Sequence, residues 1–158
     1  MKNIMSNARQ LLIESALFEG ANDAVIETLL QRAEPASFAV GEIPVAEATV
    51  THQILLIVEG ELQIEIALQS PDQNLEMLNA GPGTFLGLVN FFSKVSQPFT
   101  ATALTEIKTL TWKPEDWRQL CEADPEFGYQ LSQRIGGALV ERMSNWISQI
   151  LNTVSWGV

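Results

Sequence analysis

The residues with the most chemical content lie between positions 83 and 103. Gly83 and Gly87 flank a short apolar stretch, and a polar loop leads on to Pro-Phe-Thr-Ala-Thr-Ala at residues 98–103. Glycine at such points lets a ligand approach the backbone closely, because no Cβ stands in the way. The pattern predicts a ligand-cradling loop, yet Lys94 is its one charged side chain.

Other residue types that carry chemistry are isolated in the sequence. His52 has no second His or Cys at metal-ligand spacing, which favours a surface or strand residue. Cys121 has no basic neighbour to activate it, so we expect a buried thiol. Glu14 and Asp23 are most simply part of a solvated helix face. Without a nucleophile or an acid–base pair, we expect no enzyme and no metal site.

Composition and charge favour one folded domain over residues 1–158. The chain is 46% hydrophobic and 18% charged, which excludes a disordered protein. Its net charge is −10, and the nine Lys and Arg residues are scattered without a cluster. Nucleic-acid backbones are bound by clustered cations, so no nucleic-acid partner is expected.

The cellular compartment is also predicted from the sequence. A single cysteine excludes an internal disulfide and fits a reducing environment. There is no signal-peptide pattern, and no apolar run approaches the roughly 18 residues of a membrane span. We therefore expect a cytoplasmic protein.

Three regions follow one another along the chain. Residues 6–33 have helical spacing, with Asn22 as an N-cap. Residues 37–112 read as short strands: 38–40 form one that ends at Gly41, 54–58 form an apolar run, 61–66 alternate strictly, and 70–74 resemble a hairpin loop. Residues 114–151 are helical again, with Pro114 at a first position and Asp124-Pro125 repeating the cap-and-proline signal. This order predicts a mainly β fold with flanking helices and a long C-terminal helix.

The same order, four short motifs and the spacing of two glycines resemble the cyclic nucleotide-binding domain of the catabolite activator (Crp/Fnr-like) family. The motifs are Leu17-Phe18, Phe38 with residues 41–43, the strand–glycine–strand segment 57–62, and residues 83–87, with Gly41 and Gly60 at the family's spacing. The resemblance implies a β-barrel or jelly roll. It also implies a cyclic nucleotide cassette formed here by Gly87, Leu88, Val89, Asn90, Phe99, Thr100 and Ala101.

Three positions depart from the family pattern. Ala48 stands where a glycine is usual, Leu88 replaces the cassette glutamate, and Phe99 replaces the arginine that pairs with the phosphate. The remaining frame offers the amide of Asn90, the hydroxyl of Thr100 and the free N–H groups of a short helix. We therefore expect a degenerate cassette and no bound cofactor, with a residual cyclic AMP or cyclic GMP receptor as an alternative.

The aromatic residues near the cassette leave two interpretations open. Phe91, Phe92 and Phe99 either line a site for a less charged effector or fill the space that a ligand would occupy. Filling of the pocket is the expectation that we favour. A sensor retuned to an apolar or uncharged effector is the alternative.

The C-terminal helix is expected to bind a partner. Gly136 and Gly137 together cost about 2 kcal/mol relative to alanine, and small residues allow another helix to approach. The resemblance implies a two-fold dimer seam on this helix, or docking on another protein. The residues predicted to form it are Leu131, Ile135, Gly136, Leu139, Met143, Trp146 and Ile150, with an apolar tail that includes Val154 and Trp156. Because the sequence ends at Val158, we expect no DNA-binding domain to follow.

Overall fold

The computed structural model describes residues 2–67 and 74–155. The helices are α1 (Lys2–Glu14), α2 (Asp23–Arg32), α3 (Pro114–Ala123) and α4 (Pro125–Ser155), with short 3-10 turns at Ala16–Phe18 and Leu88–Phe91. The strands are β1 (Glu34–Phe38), β2 (Ile54–Glu59), β3 (Leu62–Ala67), β4 (Asn74–Ala80), β5 (Phe85–Leu86), β6 (Thr100–Ala103) and β7 (Ile107–Trp112).

The strands form two antiparallel sheets. One has the order β1-β7-β2-β5 and the other β4-β3-β6. Within the described ranges the sheets are not closed into a barrel, so the mainly β fold with flanking helices is confirmed, whereas a closed barrel is not. The predicted hairpin loop at 70–74 falls largely outside the described residues.

Two hydrophobic cores share strand β2. Its residues Ile54, Leu56 and Val58 contact an outer core between the four-stranded sheet and the helices. The intervening Leu55 and Ile57 contact an inner core between the two sheets. A strand that is buried on both faces needs a continuous run of apolar residues, so the run at residues 54–58 correctly predicted a buried strand.

The outer core is built around aromatic rings. Trp117 of α3 lies 5.3 Å from the ring of Phe18, 5.6 Å from Phe85 and 5.7 Å from Trp112. Trp112 also donates its indole N–H to the carbonyl of Leu29 at 2.7 Å. These contacts fasten α2, α3 and the first 3-10 turn onto the four-stranded sheet.

The predicted helix starts are confirmed, and one predicted strand is wrong. Asn22 caps α2 by accepting a hydrogen bond from the amide of Val25 at 3.0 Å. Helix α3 begins at Pro114 and α4 at Pro125, where the Asp124 carboxylate accepts from the amide of Phe127. Strand β1, however, spans Glu34–Phe38 rather than residues 38–40, because its ladder partner β7 pairs with those earlier residues.

Burial corrects the predicted partner-facing residues of α4. Leu131, Ile135 and Trp146 are buried in the chain's own cores, at 1%, 0% and 9% exposure, so they are not available to a second helix. Leu139 and Ile150 are half-buried. Three of the seven residues predicted for a partner thus pack on the chain's own cores, whereas Met143 is 54% exposed. The large apolar residues that α4 exposes in its described part are Tyr129, Val140, Met143, Ile147 and Leu151.

Gly136 and Gly137 of α4 are not enclosed by the described part of the chain. A Cβ at Gly136 would lie 4.0 Å from Cζ of Phe92, which is an ordinary contact. A Cβ at Gly137 would meet no atom within 4 Å. Close packing on the sheets therefore does not explain these glycines, and the approach of a second helix stays a prediction.

Ala48 has a backbone conformation that glycine adopts more easily. Its φ is 63°, and it is the one non-glycine residue with positive φ among the described residues. Its amide donates to the carbonyl of Gln97 at 2.9 Å, which ties this loop to the end of the cassette. Ala48 therefore replaces the family's glycine at a position whose backbone conformation still favours glycine.

We expect Ala48→Gly to stabilise the protein by up to about 1 kcal/mol. The left-handed conformation costs an L-residue roughly 1–2 kcal/mol, from which the extra chain entropy of glycine, about 0.5–1 kcal/mol, is subtracted. Urea unfolding measures the change. Ala39→Gly, at an exposed residue without positive φ, is the control and should lower stability. Equal losses in both variants would contradict the prediction.

Candidate functional site

The segment 87–101, called the cassette below, begins at a glycine that no other residue can replace easily. Gly87 has φ 78°, and a Cβ there would lie 2.4 Å from the carbonyl oxygen of Gln53. The short 3-10 turn Leu88–Phe91 begins directly after this glycine. Arg118 holds the C-terminal end of the turn by donating to the carbonyl of Phe91 at 3.1 Å. The glycine frame of the predicted cradle is therefore present.

A polar cluster fixes the two ends of the cassette to each other. Asn90 and Gln97 are 3% and 2% exposed, and the amide nitrogens of both lie 3.2 Å from the hydroxyl oxygen of Thr51. Asn90 also donates to the carbonyl of Gln53 at 3.0 Å. The amide of Asn90 is thus used to hold the loop and is directed towards residues 51–53.

The end of the cassette contacts α4 through two aromatic rings. Phe99 is 4% exposed, and its ring lies 5.3 Å from that of Trp146 at an interplanar angle of 82°. Both residues belong to the inner core between the sheets. This edge-to-face contact attaches the second half of the long helix to the cassette.

Beside this ring pair lies a cavity of about 540 Å³. Its wall is formed by the cassette, by the turns of α4 between Leu139 and Ile150, and by Ile66 of β3. A volume of this size lies within the range of small-molecule sites, roughly 300–1,000 Å³. The cassette side chains therefore do not fill all the space between the loop and the helix.

Four of the seven predicted cassette residues line this cavity: Gly87, Leu88, Val89 and Phe99. The other three do not. Thr100 accepts a hydrogen bond from the amide of Glu47 at 3.1 Å, and the amide of Ala101 donates to the carbonyl of Val45 at 2.8 Å. The hydroxyl predicted to face a ligand is therefore engaged with the neighbouring loop.

The aromatic residues of the cassette have three different surroundings. Phe91 is buried in the outer core, Phe92 is 51% exposed, and only Phe99 lines the cavity. Leu88 contacts the outer core in addition to the cavity. Of the two replaced positions, Phe99 is thus the one that belongs to the interior between the sheets.

Arg142 is the cavity residue that the sequence interpretation missed. It lies on α4 among Leu139, Met143 and Trp146, at the helical spacing i, i+3, i+4 and i+7. Its guanidinium donates to the carbonyl of Phe85 at 3.3 Å, and burial lowers its pKa below the usual value. The sequence did contain a signal for this position, because Arg142 interrupts an otherwise apolar stripe of the helix.

A family model described as "Cyclic nucleotide-binding domain" matches residues 35–124, more than half of the chain. The chain belongs to the cyclic nucleotide-binding domain family. The match covers all seven strands, α3 and the cassette, and it confirms the resemblance drawn from the motifs.

Relatives of this family agree with the assignment at low identity. A "CRP-like cAMP-activated global transcriptional regulator" of Mycobacterium tuberculosis is 23% identical over 145 residues, which are 91% of this chain. The chain spans 63% of the length of that relative. The similarity therefore supports membership of a regulatory family. The activity named for the longer relative is not transferred to this chain.

Solved structures share the fold. A cyclic nucleotide-binding domain from Methylobacillus flagellatus superposes with a TM-score of 0.79 at 14% identity, over 96% of this chain and 84% of that one. The Thermus thermophilus catabolite activator protein gives a TM-score of 0.71 at 18% identity, over 89% of this chain and 63% of that one.

The remaining sequence features lie away from the cavity. His52 is exposed, and burial raises the pKa of the half-buried Cys121 thiol, which disfavours the reactive thiolate. Residues 2–67 and 74–155 contain no group of three or more His, Cys, Asp or Glu placed to hold a metal ion. In the same ranges, every helix is too short or too polar to cross a bilayer.

We expect Phe99 and Trp146 to be energetically coupled. In a double-mutant cycle with Phe99→Leu and Trp146→Leu, the coupling should be about 0.5–1.5 kcal/mol, because the edge-to-face contact is lost in either single variant. Urea unfolding gives the four free energies. Phe99→Leu combined with Phe127→Leu, in the other core, is the control and should be additive. Additivity in both pairs would show that the ring contact is not formed.

Proposed function

We propose that this chain is a non-enzymatic regulatory module whose cassette does not hold a cyclic nucleotide at physiological concentration. The observation that carries the proposal is the position of Phe99. The residue that stands where the family has its phosphate-pairing arginine is 4% exposed and is covered by Trp146 of α4. A regulatory role follows the family, and α4 is the element through which the module acts on a partner.

The energetics of phosphate binding support this proposal. A cyclic nucleotide phosphate carries one negative charge, and burial of an unpaired ion costs several kcal/mol. Each charge-assisted hydrogen bond contributes roughly 1.5–3 kcal/mol, so the replacement of both pairing groups lowers affinity by two to four decades. Leu88 and Phe99 provide no polar side-chain atom in their place.

Calorimetric titration with cyclic AMP and cyclic GMP tests the proposal directly. We expect no saturable binding in the micromolar range for either nucleotide. Saturable micromolar binding would instead favour a residual cyclic nucleotide receptor, and the proposed function would then be rejected.

A gain-of-function variant tests whether the cassette position is assigned correctly. We expect Phe99→Arg to increase the affinity for cyclic AMP, because it restores a cation at the position of the family's arginine. Phe92→Arg, with the same change of charge at an exposed residue outside the cavity, is the control and should bind no better than the original chain. Equal affinities for the two variants would contradict the assignment.

We further propose that α4 forms the seam of a homodimer. Val140, Met143 and Ile147 are 58%, 54% and 48% exposed, and Leu151 continues the same stripe at 59%. Their spacing of three and four residues places them on one side of the helix. Two copies related by a two-fold axis would cover this stripe with an identical one. Docking on a different protein is the alternative occupant.

Sedimentation of a charge variant tests the seam. We expect Val140→Glu to weaken self-association at least tenfold, because two carboxylates would be desolvated at the axis. Asn145→Glu, an exposed residue on another face of α4, is the matched control and should leave the association unchanged. A monomeric original chain, or a Val140→Glu variant that associates as tightly, would contradict the homodimer.

A further inference from the structure

The cavity between the cassette and α4 contains one cationic side chain in a mostly apolar wall, to which Ser96 and Gln97 add polar groups. Arg142 is flanked by Leu139, Met143 and Trp146 on the helix and faces a wall that includes Val89 and Phe99. In the described part of the chain, its guanidinium donates a hydrogen bond to the carbonyl of Phe85 at 3.3 Å, and no carboxylate forms an ion pair with it.

This arginine is electrostatically incomplete. Burial lowers the pKa of the guanidinium, yet an arginine stays protonated under all ordinary conditions, so the charge persists within the wall. A carbonyl oxygen satisfies one of five N–H donors and neutralises no charge. A guanidinium fork binds carboxylates and phosphates through two parallel hydrogen bonds, and the mostly apolar wall favours a carboxylate carried by an apolar body over a sugar phosphate.

Two further wall residues have buried polar atoms without a partner. Oε1 of Gln97 and the indole Nε1 of Trp146 make no hydrogen bond within the described ranges, although both residues line the cavity. Buried polar groups are normally paired with protein or water, so each exception needs an explanation. The side-chain atoms Asn90 Oδ1 and Trp117 Nε1 are also unpaired but lie outside the cavity wall, whereas those of Gln97 and Trp146 would be explained by a bound ligand. They mark the same wall as Arg142 and do so independently of it.

We propose that the cavity binds a small molecule with an apolar body and a single carboxylate, with the carboxylate on Arg142 and the apolar body against Phe99, Val89 and Leu139. The charge-pairing group thus lies on α4, whereas the family pattern places it on the cassette. This inference rests on the proposed function, because it requires that no cyclic nucleotide occupies the cavity. A ligand held in this way contacts cassette and helix together.

Paired probes of equal chain length test this inference. Decanoate and 1-decanol share the apolar body and differ in the carboxylate, so calorimetric titration of the full chain with each isolates the contribution of Arg142. We expect saturable binding of decanoate with an affinity roughly 10- to 100-fold above that of decanol, as one charge-assisted pair provides. The absence of decanoate binding, or equal affinities for the two probes, would overturn the inference.

Three variants assign the effect to residues. Arg142→Gln should remove the preference for decanoate, whereas Arg142→Lys, which keeps the charge, should retain part of it. Arg134→Gln makes the same charge change on the same helix outside the cavity wall and should leave the preference intact. Val89→Trp should weaken both probes by filling the cavity. If Arg142→Gln kept the full preference, the carboxylate would be bound elsewhere and the inference would be rejected.

A cyclic AMP titration of the same preparation separates the two proposals. No cyclic AMP binding with selective decanoate binding supports both. Micromolar cyclic AMP binding rejects the proposed function, and competition by decanoate for that nucleotide would locate both ligands in the cavity. No binding of either molecule supports the proposed function and rejects the carboxylate site.

Discussion

The edge-to-face contact between Phe99 and Trp146 fixes the position of the second half of α4. The first half of this 31-residue helix is held by Phe127, Leu131 and Ile135 in the outer core. Beyond Ile135, Trp146 is the residue of the described helix that is buried in the inner core. The cassette and the second half of α4 therefore meet at these two rings, and the hydrogen bond from Arg142 to the carbonyl of Phe85 ties the same half of the helix to β5.

The backbone of the cassette has the close-approach geometry expected of a ligand-binding loop. The positive charge beside it, however, lies on α4 and not on the cassette. Gly87 still brings the loop within contact of the carbonyl of Gln53, and Ala48 holds a left-handed backbone without being glycine. The cassette itself contributes apolar side chains to the cavity, and the cation comes from α4 at Arg142. The proposed ligand, mostly apolar and acidic at one end, matches this polarity.

Local signals in the sequence were sufficient for much of the fold. The apolar run of β2 and the caps at Asn22 and Asp124 depend on nearest neighbours, so they could be predicted from the chain alone. The faces of α4 could not be. The stripe through Leu131, Ile135 and Trp146 has the same spacing whether it packs on a partner or on its own sheets, and only the tertiary arrangement separates these outcomes.

The candidate site shows the same division. The glycine frame and the uncharged Phe99 were visible in the sequence, whereas the outer-core contact of Leu88 and the inward position of Arg142 depend on residues more than 50 positions away. The central claim is that Trp146 lies on Phe99. Nuclear Overhauser contacts between the indole protons of Trp146 and the ring protons of Phe99 measure it directly. We predict strong cross-peaks, as ring centroids 5.3 Å apart require. An indole that shows none, together with rapid amide exchange after residue 139, would contradict the docked helix.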